Sequence, residues 1–373
     1  MLHILVDANN FFMKHLFSYK SGMRKSDRLF ETENHILEYS HLISNSIIAL
    51  IERFEGNVGI VLCFDYKTWR KQYYPSYKGT REYDDSINWD AYFKFVDDYC
   101  QNLVDKHEFK ISRIEGAEAD DLIYLWSKKL NNAGSDCIIV SEDKDLHQLV
   151  KSHDNGNFTI IYNNSFKSAK IYKDPDTNLD ESFNEIDILN ASDILSSSRS
   201  VIKKIIHEVD SVEDINVQEF IITKLLTGDD GDNVPSVWTW LDKNNKNKRI
   251  TPKVAEKIYN NFASLTENPL YLLYNDFDFF KNILAKSIEF VIGLNVPVAE
   301  LEKNIERNAT LMCLHYKFIP KNIIRDFQKS FDENTHPVYE RITFLHGTRY
   351  FQDGRYKIGK GDRMDSYFGS FGD

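Results

Sequence analysis

The chain has 373 residues, of which 42% are hydrophobic, so it is long enough for two ordinary domains with a sizeable core. Its 57 acidic residues outnumber the 46 basic ones and give a formal charge of −11, which is unusual for a protein that binds nucleic acid. The 4 cysteines are isolated in the sequence, so neither a zinc site nor a disulfide framework is indicated.

The first residues, MLHILVDANN, lack the basic start of a signal peptide. No apolar run approaches the roughly 18 residues that a membrane span needs. We therefore expect a monomeric protein of the cytoplasm, with reduced thiols and no membrane contact.

Short apolar strands alternate with helices along the first half of the chain. The predicted strands lie within residues 3–10, 57–66, 136–150 and 158–164. The predicted helices cover residues 34–54, 88–106 and 117–134, and a further helix closes the segment 136–150. This alternation predicts an α/β fold with a parallel sheet.

The second half of the chain is mainly helical in pattern from about residue 190 to about residue 331. The stretch DENTHP is typical of a linker, and the glycines that follow it favour a flexible tail. We predict three parts: an α/β domain over 1–190 with a basic segment at about 66–90, a helical region over 191–331, and a linker and tail over 332–373.

Acidic side chains gather where the predicted strands end and where the helix at 117–134 begins. They are Asp7, Asp65, Asp143 and Asp145 after strands, and Glu118, Asp120 and Asp121 in the helix start. Since the carboxyl ends of parallel strands share one edge, these groups are expected to lie together. Asp229 and Asp232 of the stretch GDDGDNVP would join them. Each group taken singly is explained equally well by a surface turn or by a helix dipole.

Carboxylate oxygens without His or Cys suit hard cations, so the predicted cofactor is a pair of Mg²⁺ ions, for which Mn²⁺ can substitute. Two such ions about 3.5–4 Å apart can hold the attacking and leaving oxygens of a phosphoryl displacement. The acidic excess of the chain would then be concentrated where metals bind.

Two basic stretches are candidates for binding phosphate. The first, YKTWRKQYYPSYKGTRE, follows Asp65 and mixes cations with tyrosines; its cations are Lys67, Arg70, Lys71, Lys78 and Arg81. The second, DKNNKNKRITPKVAEK, contains Lys246, Lys248 and Arg249. The alternative for both is an exposed, solvated loop.

The motifs VDANN, FDYKTWRKQYYPSYKGTRE, EGAEADDL, SEDKDLHQL and GDDGDNVP resemble those of the flap endonuclease, or 5′-nuclease, superfamily, in the same order. The resemblance covers residues 1 to about 331 and is nearest to the T-even phage members. It implies a PIN-like parallel sheet flanked by helices, followed by a mainly helical DNA-binding region. It also implies the host cytoplasm as the location, if the protein is a phage protein.

The resemblance also implies roles for the acidic residues. One metal would bind Asp7, Asp65, Glu118 and Asp120, and the other Asp143, Asp145, Asp229 and Asp232, with Asp121 in support and Asp230 a bystander. Lys78 matches the catalytic lysine of the family, and Arg81 lies near its basic arch. The implied activity is a metal-dependent 5′→3′ exonuclease and flap endonuclease that removes RNA primers or 5′ flaps during DNA replication and leaves a 5′-phosphate.

The sequence departs from the family pattern after DNVP, where many relatives have a glycine-containing hairpin that holds a duplex phosphate. Here the stretch SVWTWLDKNNKNKRITPK stands instead, and its basic residues are the candidate substitute. Two rival functions stay open: a PIN-type ribonuclease for single-stranded RNA, and a replication factor that binds DNA without cutting it.

The tail contains GDRMDSYFGSFGD, in which Met364, Tyr367 and Phe368 have the spacing of one face of a helical turn. This spacing resembles the clamp-binding peptide of replication proteins, although Gly361 stands where that peptide has Gln. We predict a sliding clamp as a partner, with single-strand binding protein as a further one, beside the branched DNA or RNA/DNA substrate. The alternative is a tail that packs on its own domain.

Overall fold

The computed structural model describes residues 2–23, 28–54, 58–80, 83–107, 109–152, 157–172, 202, 205–242, 244–266, 268–293 and 296–332. These residues form a mainly parallel sheet flanked by helices, and helices dominate the chain after the sheet. The predicted α/β fold class is therefore confirmed.

Eight strands form the main sheet, and two more form a separate hairpin. The strands are β1 (Leu2–Asp7), β2 (Val58–Cys63), β3 (Lys110–Ser112), β4 (Asp136–Val140), β5 (Lys151–Ser152), β6 (Phe158–Asn163), β7 (Ser168–Tyr172), β8 (Ser211–Ile215), β9 (Thr239–Leu241) and β10 (Asn247–Arg249). The order in the main sheet is β3-β2-β1-β4-β6-β7-β8, with β5 paired to β6. Strands β3, β2, β1, β4 and β6 run parallel to one another.

The helices cover both faces of the sheet and build the second half of the chain. They are α1 (Ala8–Ser21), α2 (Glu33–Ile51), α3 (Arg70–Tyr73), α4 (Trp89–His107), α5 (Ala119–Asn132), α6 (Val217–Thr227), α7 (Pro252–Leu265), α8 (Pro269–Asn275), α9 (Phe277–Ile292), α10 (Val298–Met312) and α11 (Lys321–Asp332). A 3₁₀ helix (Lys144–Leu149) follows β4.

The central strands are mostly apolar because both faces of the sheet are covered. In β1, Leu5 packs into the core that contains α5. Its neighbours Ile4 and Val6 pack into the opposite core, which contains α1 and α2. This two-sided burial explains why the sequence shows apolar runs here instead of an alternation of apolar and polar residues.

The helical second half packs on the α5 face of the sheet and shares its core. Trp126 of α5 meets Phe327 of α11 edge to face, with the ring centroids 5.6 Å apart. In consequence, α10 and the end of α6 lie beside the edge of the sheet at which β1, β2 and β4 end.

Some predicted features lie outside the described residues: the domain boundary near residue 190, Arg81, and the clamp-binding candidates Met364, Tyr367 and Phe368. Strand β8 lies beyond that boundary, in the part of the chain that we predicted to be helical, and extends the sheet next to β7. Within the described ranges, no helix is long and apolar enough to span a membrane.

Candidate active site

The carboxyl ends of three adjacent parallel strands carry Asp7, Asp65 and Asp143. Asp7 is the last residue of β1, and its Oδ1 accepts from the backbone N–H of Asn10 at 3.1 Å, which caps α1. Asp65 follows β2, and Asp143 follows β4 as the N-cap of the 3₁₀ helix. The sheet order places β1 between β2 and β4, so the three side chains share one edge, as the sequence predicted.

The start of α5 brings further carboxylates to this edge. Asp65 Oδ1 accepts from the first backbone N–H of the helix, that of Ala119, at 2.7 Å. Glu118 is the N-cap residue, and the backbone N–H of Glu118 donates to Asp121 Oδ2 at 3.2 Å in a capping box. This capping places the half-buried side chain of Asp120 next to the strand-end acids.

Crowding of these acids shows in their pKa values. Burial and the neighbouring Asp65 raise the pKa of Asp7 to about 7. Burial, Asp143 and Asp7 raise the pKa of Asp120 well above its ordinary value. The edge therefore holds more negative charge than the protein itself compensates, and a cation bound there would relieve the repulsion.

The stretch GDDGDNVP forms a tight turn, which we call the acid turn (Gly228–Pro235). The backbones of Asp229 and Val234 exchange two hydrogen bonds of 2.8 Å, and Asp229 Oδ1 accepts from Gly231 N at 2.8 Å. Gly228 has a φ of 72°, and a Cβ at this position would overlap the carbonyl oxygens of Val234 and Pro235. The turn thus needs its glycine, and it directs Asp229 and Asp232 towards the edge of the sheet.

The segment around Lys78 is fastened to the acid turn. Lys78 N donates to Asp232 O at 2.9 Å, and Tyr77 Oη donates to Asp232 Oδ2 at 2.9 Å. The side chain of Asn233 donates to Ser76 O at 2.9 Å. Two stretches that are more than 150 residues apart in sequence therefore meet at the acidic edge.

Lys78 itself points into the acidic group. Its Nζ lies 2.5 Å from Glu118 Oε1 and 3.9 Å from Asp232 Oδ2. Burial opposes the charge on Lys78, but Glu118 and Asp232 outweigh burial and raise its pKa above the ordinary value. Lys78 is thus a cation at all neutral pH values and lies within reach of any phosphate that binds at this edge.

Lys224, which the sequence analysis missed, bridges two acidic groups. Its Nζ bonds to Asp145 and lies 2.9 Å from Asp229 Oδ2. Burial disfavours the charge on Lys224, but the two carboxylates raise its pKa above the ordinary value. The only sequence signal for this role is its position one turn before the end of α6, where the helix leads into the acid turn.

The fit of a metal to this edge rests on the chemistry of the donors. All the candidate ligands are carboxylates, which suit Mg²⁺ or Mn²⁺. Among the described residues, however, no three His, Cys, Asp or Glu side chains converge in a geometry that would hold a metal ion as they stand. Protein donors already occupy several of the carboxylates: Lys224 contacts Asp145 and Asp229, and Lys78 contacts Glu118.

The prediction that Arg70 contacts DNA is wrong, because the side chain is only 2% exposed. Its guanidinium donates to both oxygens of Asp121, at 2.7 and 2.9 Å, and to Glu118 Oε2 at 2.6 Å. Its Nε donates to Leu311 O in α10 at 2.7 Å. Arg70 therefore links the start of α5 to the helical half of the chain.

The same contacts keep Asp121, which the resemblance places in support of the metal ligands, from binding a metal itself. Asp121 is fully buried, and its two oxygens accept from Arg70, from the ring N–H of Trp69 and from the backbone of Glu118. Asp121 supports Glu118 through Arg70 and through the capping box, and presents no free oxygen to a metal.

The other cations predicted to contact DNA lie on the surface. Lys67 and Lys71 are exposed near the acidic edge. Lys246, Lys248 and Arg249 are exposed on the hairpin of β9 and β10, which forms where the sequence departs from the family pattern. Arg249 pairs with both oxygens of Asp230, at 2.6 and 2.8 Å, and thereby connects the hairpin to the acid turn.

Residues 2–180 match the family model of the 5′-3′ exonuclease N-terminal, resolvase-like domain. The match covers 179 of the 373 residues, just under half of the chain, and shows that this part is similar to the N-terminal domain of 5′-3′ exonucleases.

Among individual relatives, the chain is 31% identical over 119 residues to the ribonuclease H of Enterobacteria phage T4. This alignment covers 30% of this chain and 39% of the relative. It is 26% identical over 277 residues to a DNA polymerase I of Borreliella burgdorferi. That alignment covers 72% of this chain and 25% of the relative. The chain thus spans well under half the length of either protein. A crystal structure of the phage T5 D15 protein with metal ions aligns over 89% of this chain and 99% of its own, with 16% identity and a TM-score of 0.49.

Proposed function

We propose that the protein is a divalent-metal-dependent 5′→3′ exonuclease and flap endonuclease that cuts branched DNA or RNA/DNA duplexes near a 5′ end and leaves a 5′-phosphate. The observation that carries the proposal is the meeting of carboxylates from the ends of β1, β2 and β4, the start of α5 and the acid turn, with Lys78 among them. The match of residues 2–180 to the family model of the 5′-3′ exonuclease N-terminal domain supports it. Removal of RNA primers or 5′ flaps during DNA replication is the proposed role.

The proposed cofactor is a pair of Mg²⁺ ions, with Mn²⁺ able to replace them. Asp7, Asp65, Glu118 and Asp120 are the proposed ligands of one ion, and Asp143, Asp145, Asp229 and Asp232 those of the other. When bound, such ions supply Lewis acidity and lower the pKa of water so that it can attack a phosphodiester. Lys224 and the second ion would compete for Asp145 Oδ1 and Asp229 Oδ2, the carboxylate oxygens that the ammonium contacts.

Lys78 and the bound ions would share the task of stabilising negative charge on the scissile phosphate. The present bond of Lys78 to Glu118 keeps the ammonium oriented towards the acidic edge until a phosphate arrives. Asp232 O accepts from the backbone N–H of that lysine, and the Asp232 carboxylate accepts from the hydroxyl of the preceding residue, Tyr77. The chain thereby fixes the place of the cation before the substrate binds, which lowers the cost of reorganisation during the reaction.

The test of the proposed function is cleavage of an end-labelled 5′-flap duplex compared with an unstructured RNA, each with Mg²⁺ and with EDTA. We expect Mg²⁺-dependent cleavage of the flap close to its junction and little cleavage of the RNA. Preferential cleavage of the RNA would favour a PIN-type ribonuclease instead. Binding of the flap without cleavage of either substrate would favour a non-catalytic replication factor.

Replacing Lys78 by Ala is expected to lower the single-turnover rate more than the affinity for the flap substrate. By analogy with the loss of one donor at an oxyanion site, the barrier should rise by about 2.7–4 kcal/mol. Rapid-quench measurements with enzyme in excess, together with binding isotherms in Ca²⁺, separate the two effects. Lys94, which is 76% exposed on α4 and is not among the predicted DNA contacts, provides the control. An unchanged Lys78→Ala rate would remove Lys78 from the chemistry.

The hairpin of β9 and β10 is the proposed binding site for the duplex backbone. Its cations are exposed, and the pair of Arg249 and Asp230 connects it to the acid turn. Replacing Lys246 and Lys248 by Gln should weaken duplex binding. It should also flatten the log–log salt dependence of the affinity by about 0.9 for each phosphate that the variant no longer neutralises. Fluorescence anisotropy across a salt series measures the slope. An unchanged slope would show that the hairpin is a solvated loop.

Binding of a sliding clamp through Met364, Tyr367 and Phe368, and binding of single-strand binding protein, stay predictions from the sequence. The three tail residues lie outside the described part of the chain, and so does Arg81.

A further inference from the structure

The side chain of Asn308, in α10, is fully buried and joins the two ends of the acid turn. Its Nδ2 donates to Leu225 O at 2.8 Å and to Pro235 O at 3.0 Å. Leu225 lies just before the turn, in the last part of α6, and Pro235 closes the turn. A single amide group therefore holds the entry and the exit of the stretch that carries Asp229 and Asp232.

These bonds complete the C-terminal end of α6, where the last carbonyl groups of a helix need partners from outside it. The carbonyl of Lys224 accepts from Gly228 N at 3.0 Å, and that of Leu226 accepts from Val237 N at 3.1 Å. The carbonyl of Leu225 accepts from Asn308 instead, across the boundary between two helices. The direction in which the chain leaves α6 is thus set in part by α10.

The same end of α10 is fixed to the other acidic groups. Leu311 O accepts from Arg70, which binds Glu118. Met312 O accepts from Gln148 Nε2 at 3.0 Å, and this same nitrogen donates to Asp145 O at 2.8 Å. One helix end therefore contacts residues that hold the start of α5, the 3₁₀ helix after β4, and the acid turn.

We infer that Asn308 is a positioning residue for the proposed metal-binding edge: it holds the acid turn in register with the carboxylates of the 3₁₀ helix and of α5. This inference rests on the proposed function. Residues that orient metal ligands from behind typically change metal affinity by about 10–100-fold when they are replaced. A residue that only caps α6 would instead change the stability of the fold and leave the metal affinity of the folded protein unaltered.

The test measures the affinity of the full chain for Mn²⁺ without nucleic acid. Electron paramagnetic resonance detects the free ion during the titration. Asn308→Ala removes both donors, and Asn308→Ser keeps a hydroxyl that can donate to one carbonyl. We expect Mn²⁺ affinity to fall by roughly 10–100-fold in Asn308→Ala and by less in Asn308→Ser. The Mg²⁺ concentration that half-saturates flap cleavage should rise in the same order, with a smaller change in the KM for the flap.

Ser236→Ala is the matched control, because the Ser236 hydroxyl donates to Leu226 O at 2.9 Å and so caps the same end of α6 without contacting the two carbonyls that Asn308 holds. It should keep the Mn²⁺ affinity of the wild type. Folded Asn308 variants with wild-type Mn²⁺ affinity would overturn the inference, and so would variants that cannot be obtained folded, since Asn308 would then serve the fold alone. A wild-type chain that binds Mn²⁺ but cuts no flap would contradict the proposed function. The Mn²⁺ affinities of the Asn308 variants would still decide whether Asn308 positions the metal ligands.

Discussion

Replacing Asp143 by Asn is expected to reduce single-turnover cleavage of a 5′ flap by more than about a thousandfold while leaving flap binding largely intact. The loss of one electrostatic group at a reaction centre costs about 10²–10³ in rate. Here the carboxamide also weakens the retention of a cation. Binding should survive, because removing a negative charge from this edge reduces its repulsion of phosphate. Asp7→Asn should behave in the same way, since Asp7 lies at the end of the neighbouring strand β1.

The crowding at the edge provides a check that these variants remain folded. Asp7 is buried beside Asp65 and Asp143, and its carboxamide would relieve repulsion in the metal-free protein. We therefore expect Asp7→Asn to keep or raise the thermal unfolding midpoint in EDTA while it loses cleavage. Loss of activity together with loss of the fold would not support the metal assignment.

Asp230 is the matched control within the same acid turn. It is exposed and pairs with Arg249 on the surface, away from the acidic edge. Asp230→Asn should keep the wild-type single-turnover rate when the flap is fully bound, since its pairing with Arg249 bears on duplex binding and not on the metals. Near wild-type turnover of Asp143→Asn or Asp7→Asn at saturating Mg²⁺ would contradict the two-metal assignment for that residue.

The sequence was sufficient to predict the parts of the site that follow from local pattern. Asp7 and Asp143 stand directly after buried apolar runs, and runs of this kind form parallel strands whose ends coincide. Glu118 stands before an amphipathic stretch with acids in its first turn, which is a typical helix start. Neither step needs any knowledge of contacts between distant residues.

The parts that the sequence did not predict depend on contacts between distant residues. Lys224 lies on α6, and the apolar pattern of this helix does not predict which carboxylates the Lys224 ammonium contacts. Asn308 is one polar residue among many in α10, and its two partners lie 83 and 73 residues away in sequence. Strand β8 has the sequence SVEDI, in which neither side is fully apolar, and its strand conformation depends on pairing with β7.

Arg70 shows how composition misleads when burial is unknown. The residue stands between exposed-looking lysines and tyrosines, so a basic surface was the natural prediction. In the structure, the chain turns at Trp69 so that Arg70 points inward, where two carboxylates and a backbone carbonyl satisfy its donors. Its neighbour Lys71 is exposed, as the prediction requires.

Replacing Arg70 by Met should therefore destabilise the fold by about 3–5 kcal/mol, because it leaves Asp121 buried without a cation. Urea unfolding of the full chain, followed by tryptophan fluorescence, measures this effect. The double variant Arg70→Met with Asp121→Leu should recover part of the stability, since an apolar pair replaces a buried charge that has no partner. Lys71→Met should leave the free energy of unfolding unchanged. A phosphate-binding role for Arg70 predicts the reverse pattern: wild-type stability, weaker flap binding, a flatter salt dependence, and no recovery in the double variant.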